Sequence, residues 1–141
     1  MPLTEDADVH LMVDGVRVDA SMPRDGIYVF ALRSPPDEVR IVSRAAVPQE
    51  LGLARDPRLL GVAVRRVVVR AGSRFRTLRA GDPTLTEGFH AFEADAGVRW
   101  TDGDAALPGH VFDGFPGACE VVVHLGGTAA YIDDGDVKAV A

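Results

Sequence analysis

Val9-His10-Leu11-Met12-Val13-Asp14-Gly15-Val16-Arg17-Val18 holds two short runs of alternating apolar residues divided by an Asp-Gly pair. That pair is the strongest short-range signal of a β-hairpin, because the two-residue turn needs φ > 0 at both central positions. The same grammar continues downstream. Residues 27–33 form a β-type run that ends at Ser34-Pro35-Pro36-Asp37, and residues 39–44 alternate except at Val42. Residues 61–70 are the longest strand candidate, rich in valine. Arg65-Arg66 in its middle break the alternation and predict a bulge or a bend between sheets. Residues 74–79 alternate after the turn Ala71-Gly72-Ser73. Residues 120–125 and 128–132 are joined by Gly126-Gly127, which reads as a turn.

Residues 48–60 are the one place where a short helix or 3₁₀ turn fits. No window places apolar residues at i, i+3, i+4 and i+7 over three turns. Eight or nine short strands at this spacing predict an all-β fold: an antiparallel β-sandwich, jelly-roll-like, with at most one short helix. The expected domain is single, residues 1–141, with a core over about residues 8–133 and frayed ends at 1–7 and 134–141.

Composition agrees with a globular chain: 47% hydrophobic and 26% charged over 141 residues. The net charge of −6 is unevenly divided. Residues 1–81 carry 13 basic and 10 acidic side chains, residues 82–141 carry 2 and 11. No apolar run approaches the ~20 residues of a membrane span, and Met1-Pro2-Leu3-Thr4-Glu5-Asp6 lacks the pattern of a signal peptide. The expectation is no membrane partner and a cytoplasmic location or release by a non-classical route. Cys119, the single cysteine, cannot pair within the chain or build a cysteine zinc site. Its parity matches Val121 and Val123, which predicts a buried thiol rather than a nucleophile.

The candidate chemistry lies in Gly88-Phe89-His90-Ala91-Phe92-Glu93 and Val98-Arg99-Trp100-Thr101-Asp102-Gly103-Asp104. Sugars present C–H faces that pack on aromatic rings and hydroxyls that bond carboxylates or guanidinium groups. Trp100 is the candidate platform, with Arg99, Asp102, Asp104, His90 and Glu93 as hydrogen-bonding partners. The competing reading packs Trp100 into the core and folds residues 101–104 into a tight turn with self-bonding Asp side chains. In a strand, one of Arg99 and Thr101 should reach solvent.

No catalytic residue is expected. A glycosidase needs two carboxylates flanking a cleft, and nothing selects Glu93 and Asp102 among 21 acids. No metal or cofactor is expected either. Asp102-Gly103-Asp104 and Asp133-Asp134-Gly135-Asp136 lack the length and closing Glu of a calcium loop. His10, His90, His110 and His124 have no ligand spacing, and Gly126-Gly127-Thr128 has no phosphate-loop context. Among Arg65, Arg66, Arg70, Arg74, Arg76 and Arg79, the pair Arg74 and Arg76 share a face. The group is read as pairing with the acidic half or with another subunit. Nucleic acid is not expected as a partner, because interleaved exposed aromatics are missing and the chain is acidic.

His10-Leu11-Met12-Val13-Asp14-Gly15, Val39-Arg40-Ile41-Val42-Ser43-Arg44, Leu60-Gly61-Val62-Ala63-Val64 and Arg99-Trp100-Thr101-Asp102-Gly103 carry a resemblance. Over roughly residues 8–133 the chain resembles an accessory β-module of alphaproteobacterial proteins. Such modules trail Hint (hedgehog/intein-type) domains, and similar ones accompany glycosyltransferases of surface-glycan assembly. The Hint domain itself is absent, with no opening nucleophilic Cys or Ser and no Thr-x-x-His block, so autoprocessing is not implied. The resemblance implies a non-catalytic, glycan-associated module.

The leading expectation is therefore a non-enzymatic module that recognises or presents a bacterial surface polysaccharide. A single shallow site binds weakly, so a homo-oligomer or larger assembly is expected to supply avidity. The alternatives are a structural protein docking through a sheet face or edge onto a partner or its own copy, and, with least support, a carbohydrate-active hydrolase. A binding module should expose Trp100 or Tyr131 in a groove; a structural protein should expose an apolar patch.

Overall fold

Asp14 and Gly15 both take positive φ, 49° and 81°, and Val13 stands directly opposite Val16. The hairpin read from that dipeptide therefore joins β2 (His10–Val13) to β3 (Val16–Val18). These strands belong to a computed structural model that describes residues 2–133. The expectation of a frayed end at 134–141, and most of the Asp133–Asp136 cluster, lie outside the described residues.

The smaller of the two main sheets has the order β10 (Asp104–Ala106), β6 (Val39–Val42), β2, β3. The larger one runs β4 (Ser21–Arg24), β5 (Ile27–Leu32), β11 (Cys119–Thr128), β7 (Val62–Ala71), β8 (Arg74–Arg79), and β9 (Arg99–Trp100) adds to β7. All pairings are antiparallel. The chain crosses repeatedly between the sheets, so neighbours in space are distant in sequence, as in a double-sheet Greek-key fold. The molecule is an all-β fold of antiparallel sheets. Among the described residues no helix is long and apolar enough to cross a membrane.

Alternation explains the core. Cys119, Val121 and Val123 of β11 face inward with Val67 and Val69 of β7 and Phe30 and Leu32 of β5. They meet Leu11 of β2 and Val39 and Ile41 of β6 in one buried cluster that joins the two sheets. Burial of this apolar area, at roughly 25 cal/mol per Å² removed from water, is the main driving force for the fold. Cys119 sits in that cluster, and burial pushes its thiol pKa up. We expect the thiol to react with iodoacetamide far more slowly in the native protein than in urea; equal rates would contradict its place in the core.

The bulge expected at Arg65-Arg66 is present. Pairing passes from His124↔Arg66 to Leu125↔Val64, which leaves Arg65 unmatched and both arginines exposed. The bend lets β7 take β9 as its neighbour before the bulge and β8 after it.

Three local expectations are corrected. Gly126-Gly127 does not turn the chain: β11 continues through it to Thr128, with a register shift that leaves Gly126 unmatched on β7, and β12 (Tyr131–Ile132) pairs instead with β1 (Leu3–Thr4). A side chain at Gly126 would collide with Val98 Cγ1 at 2.5 Å, so close packing, not turning, explains the glycine. Residues 2–7 are not a frayed end, because Leu3 and Thr4 pair with Ile132 and Tyr131 and Ala7 is buried. Residues 48–60 form successive turns closed by the Ala46↔Leu60 bridge, and among the described residues the single 3₁₀ turn lies at Gly109–Phe112.

Candidate functional site

The corner that carries Trp100 is built by β9 lying against the start of β7, with Trp100 opposite Ala63 and Arg99 opposite Val64. The loop before it is held by His90 N–H donating to Trp100 O at 2.9 Å and Asp102 N–H to Gly88 O at 2.9 Å. The structure therefore brings the expected residues into one corner. Their polar groups, however, already bond within the protein, although the Asp104 side chain stays 60% exposed.

Arg99 is half-buried, and its guanidinium donates to the main-chain carbonyls of Ala80 (2.7 Å), Leu85 (3.0 Å) and His90 (3.4 Å). The plane also lies 6.0 Å from the Phe92 ring centroid. His90 Nε2 is 2.6 Å from Leu59 O. Glu93 accepts from Arg58 at 3.0 Å, and Arg58 also grips Asp56 at 2.7 Å. Hydrogen bonding from Arg58 lowers the Asp56 pKa to about 2. Asp104 accepts from Arg40 at 2.6 Å, and Arg40 also pairs with Glu87. Asp102 accepts from the Asp104 N–H at 3.0 Å, the self-bonding Asp turn weighed as the competing reading.

Trp100 is half-buried and lies outside the main buried cluster, while Tyr131 is fully buried, its hydroxyl donating to Gly61 O and accepting from Ala129 N–H. Thr101 is fully buried: its Oγ1 accepts from Val62 N–H and Gly103 N–H, both at 3.2 Å. Glu93 and Asp102 are thus held in separate structural contacts. Among the described residues no three His, Cys, Asp or Glu side chains gather as metal ligands would.

Arg99→Ala is accordingly expected to lower unfolding stability by about 1–3 kcal/mol, the cost of buried carbonyls left without donors. Arg99→Lys should restore little, since a point-like ammonium cannot replace the planar fork across three acceptors. Urea titrations of both variants check this; full rescue by lysine would refute the role of the fork.

Two other surfaces differ in character. A groove of about 410 Å³ lies at the far end of β7, between residues 31–33, 70–72 and 118–120, and none of the corner residues lines it. The second surface is the outer face of the larger sheet. One row crosses it as Arg24, Ile27, His124, Arg66, Arg79; the next holds Val29, Val122, Val68, Thr77; the third holds Ala31, Glu120, Arg70, Phe75. Phe75 is 70% exposed and Ile27 39%. Arg70 pairs with Glu120 at 2.9 Å.

Of the other arginines, Arg74 and Arg76 reach the carbonyls of Gly114 and His110 instead of acids, so the pairing expected for them is replaced by main-chain capping. The sequence reading missed this outer face because exposure of alternate residues becomes a surface only once the strand order is known. The arginines that it grouped were the available signal. No family model, curated protein or solved structure matches this chain.

Proposed function

We propose that the chain is a non-catalytic module that recognises carbohydrate on the outer face of its larger sheet. The observation that carries this reading is that face itself, which bears Phe75 70% exposed directly opposite Arg70 of β7, with Arg66 and Arg79 two rows further along the same strands. An exposed aromatic ring next to a guanidinium group suits a sugar, which offers an apolar C–H face and hydroxyl acceptors together. The resemblance to glycan-associated modules supports the same class. The corner around Trp100 serves this reading as the joint that holds β9 and its loop, since its polar groups already have partners.

Binding at one shallow face is expected in the micromolar-to-millimolar range, about 4–8 kcal/mol. The test is a glycan panel read with the wild type and Phe75→Ala. We expect binding to at least one acidic polysaccharide, weakened tenfold or more by Phe75→Ala with the melting temperature unchanged. Binding that survives Phe75→Ala but is abolished by Trp100→Phe would move the site to the corner. No binding to any glycan would overturn the reading.

Assembly through a second copy is the rival, supported by Leu3 and Ile132. They stand directly opposite each other on β1 and β12 and are 43% and 44% exposed. Light scattering across a concentration series tests it. A dimer dissociated by Ile132→Lys would favour this rival; a monomer at all concentrations would remove it.

A further inference from the structure

The geometry points to His124, Arg66 and Arg79, side by side on β11, β7 and β8, as a row that binds an oxyanion group carried by an acidic polysaccharide. The inference rests on the carbohydrate reading above and specifies which chemical group the face reads.

Register carries the first part of the argument. His124 pairs with Arg66 and Arg66 with Arg79, so all three side chains project from the same face at strand spacing, about 5 Å apart. Like charges directly opposite on neighbouring strands destabilise a sheet. Here two arginines face each other with no acid in their row. Among the described residues neither guanidinium has a hydrogen-bond or ion-pair partner, whereas those of Arg40, Arg58, Arg70, Arg74, Arg76 and Arg99 all do. Two unneutralised guanidinium forks at that spacing match the oxygens of a carboxylate, sulfate or phosphate group.

Charge and surface chemistry select the occupant. A cationic row on a chain of net charge −6 fits an anion locally. A stable protein interface buries about 800 Å² on each partner around a core more apolar than the rest of the surface. This face offers Phe75 and Ile27 at opposite corners, and Val122 between them is only 4% exposed. Single-stranded nucleic acid calls for successive aromatic platforms, and Phe75 stands alone. A polymer with sparse charge and sugar faces fits best.

His124 makes the row sensitive to pH. Burial first, then Arg66 and Arg70, lower its pKa, so the free imidazole is neutral near pH 7. Around it on this face stand Arg66 and Arg70 of β7, Arg79 of β8, Glu120 of its own strand, and Ile27 of β5. Arg65 lies at the bulge, and Arg24 on β4 is 3.9 Å from Asp25. A bound anion favours the imidazolium, so binding takes up a proton and tightens as pH falls, by up to about tenfold per pH unit for one proton.

The experiment titrates galacturonate oligomers, their methyl esters, inorganic sulfate and oligo(dT) into the wild type, Arg66→Gln, Arg79→Gln, the double variant and His124→Asn. We expect the free acid to bind at least tenfold tighter than the ester, and the double variant to lose at least tenfold. Its melting temperature should be equal or higher, because a like-charge pair is gone. Affinity should rise from pH 7.5 to 5.5, and His124→Asn should flatten that rise.

Binding of sulfate but not galacturonate, lost in the double variant, would keep the row and assign it to sulfated or phosphorylated glycans. Tighter binding of oligo(dT) than of either sugar acid would overturn the polysaccharide assignment. Equal binding of acid and ester, untouched in the double variant, would overturn the row while leaving the carbohydrate reading standing. Absence of binding to every glycan and to sulfate would sink both.

Discussion

Replacing Gly88 with alanine is expected to cost about 2–5 kcal/mol and to loosen the corner that holds β9 and β10. Gly88 has φ of +82°, and a Cβ there would sit 2.2 Å from Asp104 O and 2.6 Å from Ala105 Cα. Those contacts are backbone, so no side chain can swing away. Gly88 O also accepts the Asp102 N–H, which ties the glycine to the turn that it would have to leave. Overpacking contributes about 1–3 kcal/mol and the left-handed conformation about 1–2. Gly114→Ala separates the two effects, since its φ is +84° with nothing within 4 Å of the added carbon. It should lose only the conformational part. Equal losses in urea titrations of the two variants would show that the corner yields freely.

Phe30→Ala should be as damaging for a different reason. Phe30 is fully buried on β5, opposite Val121, in the cluster that joins the sheets. Truncation leaves a cavity and removes transfer energy, about 3–5 kcal/mol together. For a chain of this size each kcal/mol moves the melting temperature by roughly 2–8 °C, so the shift should exceed about 6 °C. Phe75→Ala, the same chemical change on the opposite face of the same sheet, should stay within about 0.5 kcal/mol. A large loss from Phe75→Ala would mean that something in the free protein already covers the outer face, and the proposed recognition surface would have to be abandoned.

Local signals in the sequence identified most of the strands, and the reasons are physical. Asp14-Gly15 closes its hairpin because the turn's dihedral angles demand those residues. Arg65-Arg66 mark the bulge because two successive charged residues cannot both follow a two-residue period with one face buried. Gly126-Gly127 misled for an equally physical reason. Glycine serves close approach as well as turning, and Val98, which needs the room, is 28 residues upstream.

The corner was legible in part. Its residues do come together, and the self-bonding turn at Asp102 follows from local chemistry. What the polar groups of Arg99, Glu93 and Asp104 would bond was not legible, because Ala80, Arg58 and Arg40 reach them only through the folded chain.

By itself, then, the sequence determined the β-class, the strand runs and which face of each strand is apolar, since a two-residue period and turn dihedral angles are properties of neighbouring residues. Only the tertiary structure decided which strands lie side by side. That order turned the arginines of β7 and β8 and the histidine of β11 into one row, and it gave the arginines around Trp100 and their acids to each other. Side-chain pairing across a sheet depends on strand order and register, and a chain that crosses repeatedly between two sheets stores both in contacts between residues far apart in sequence.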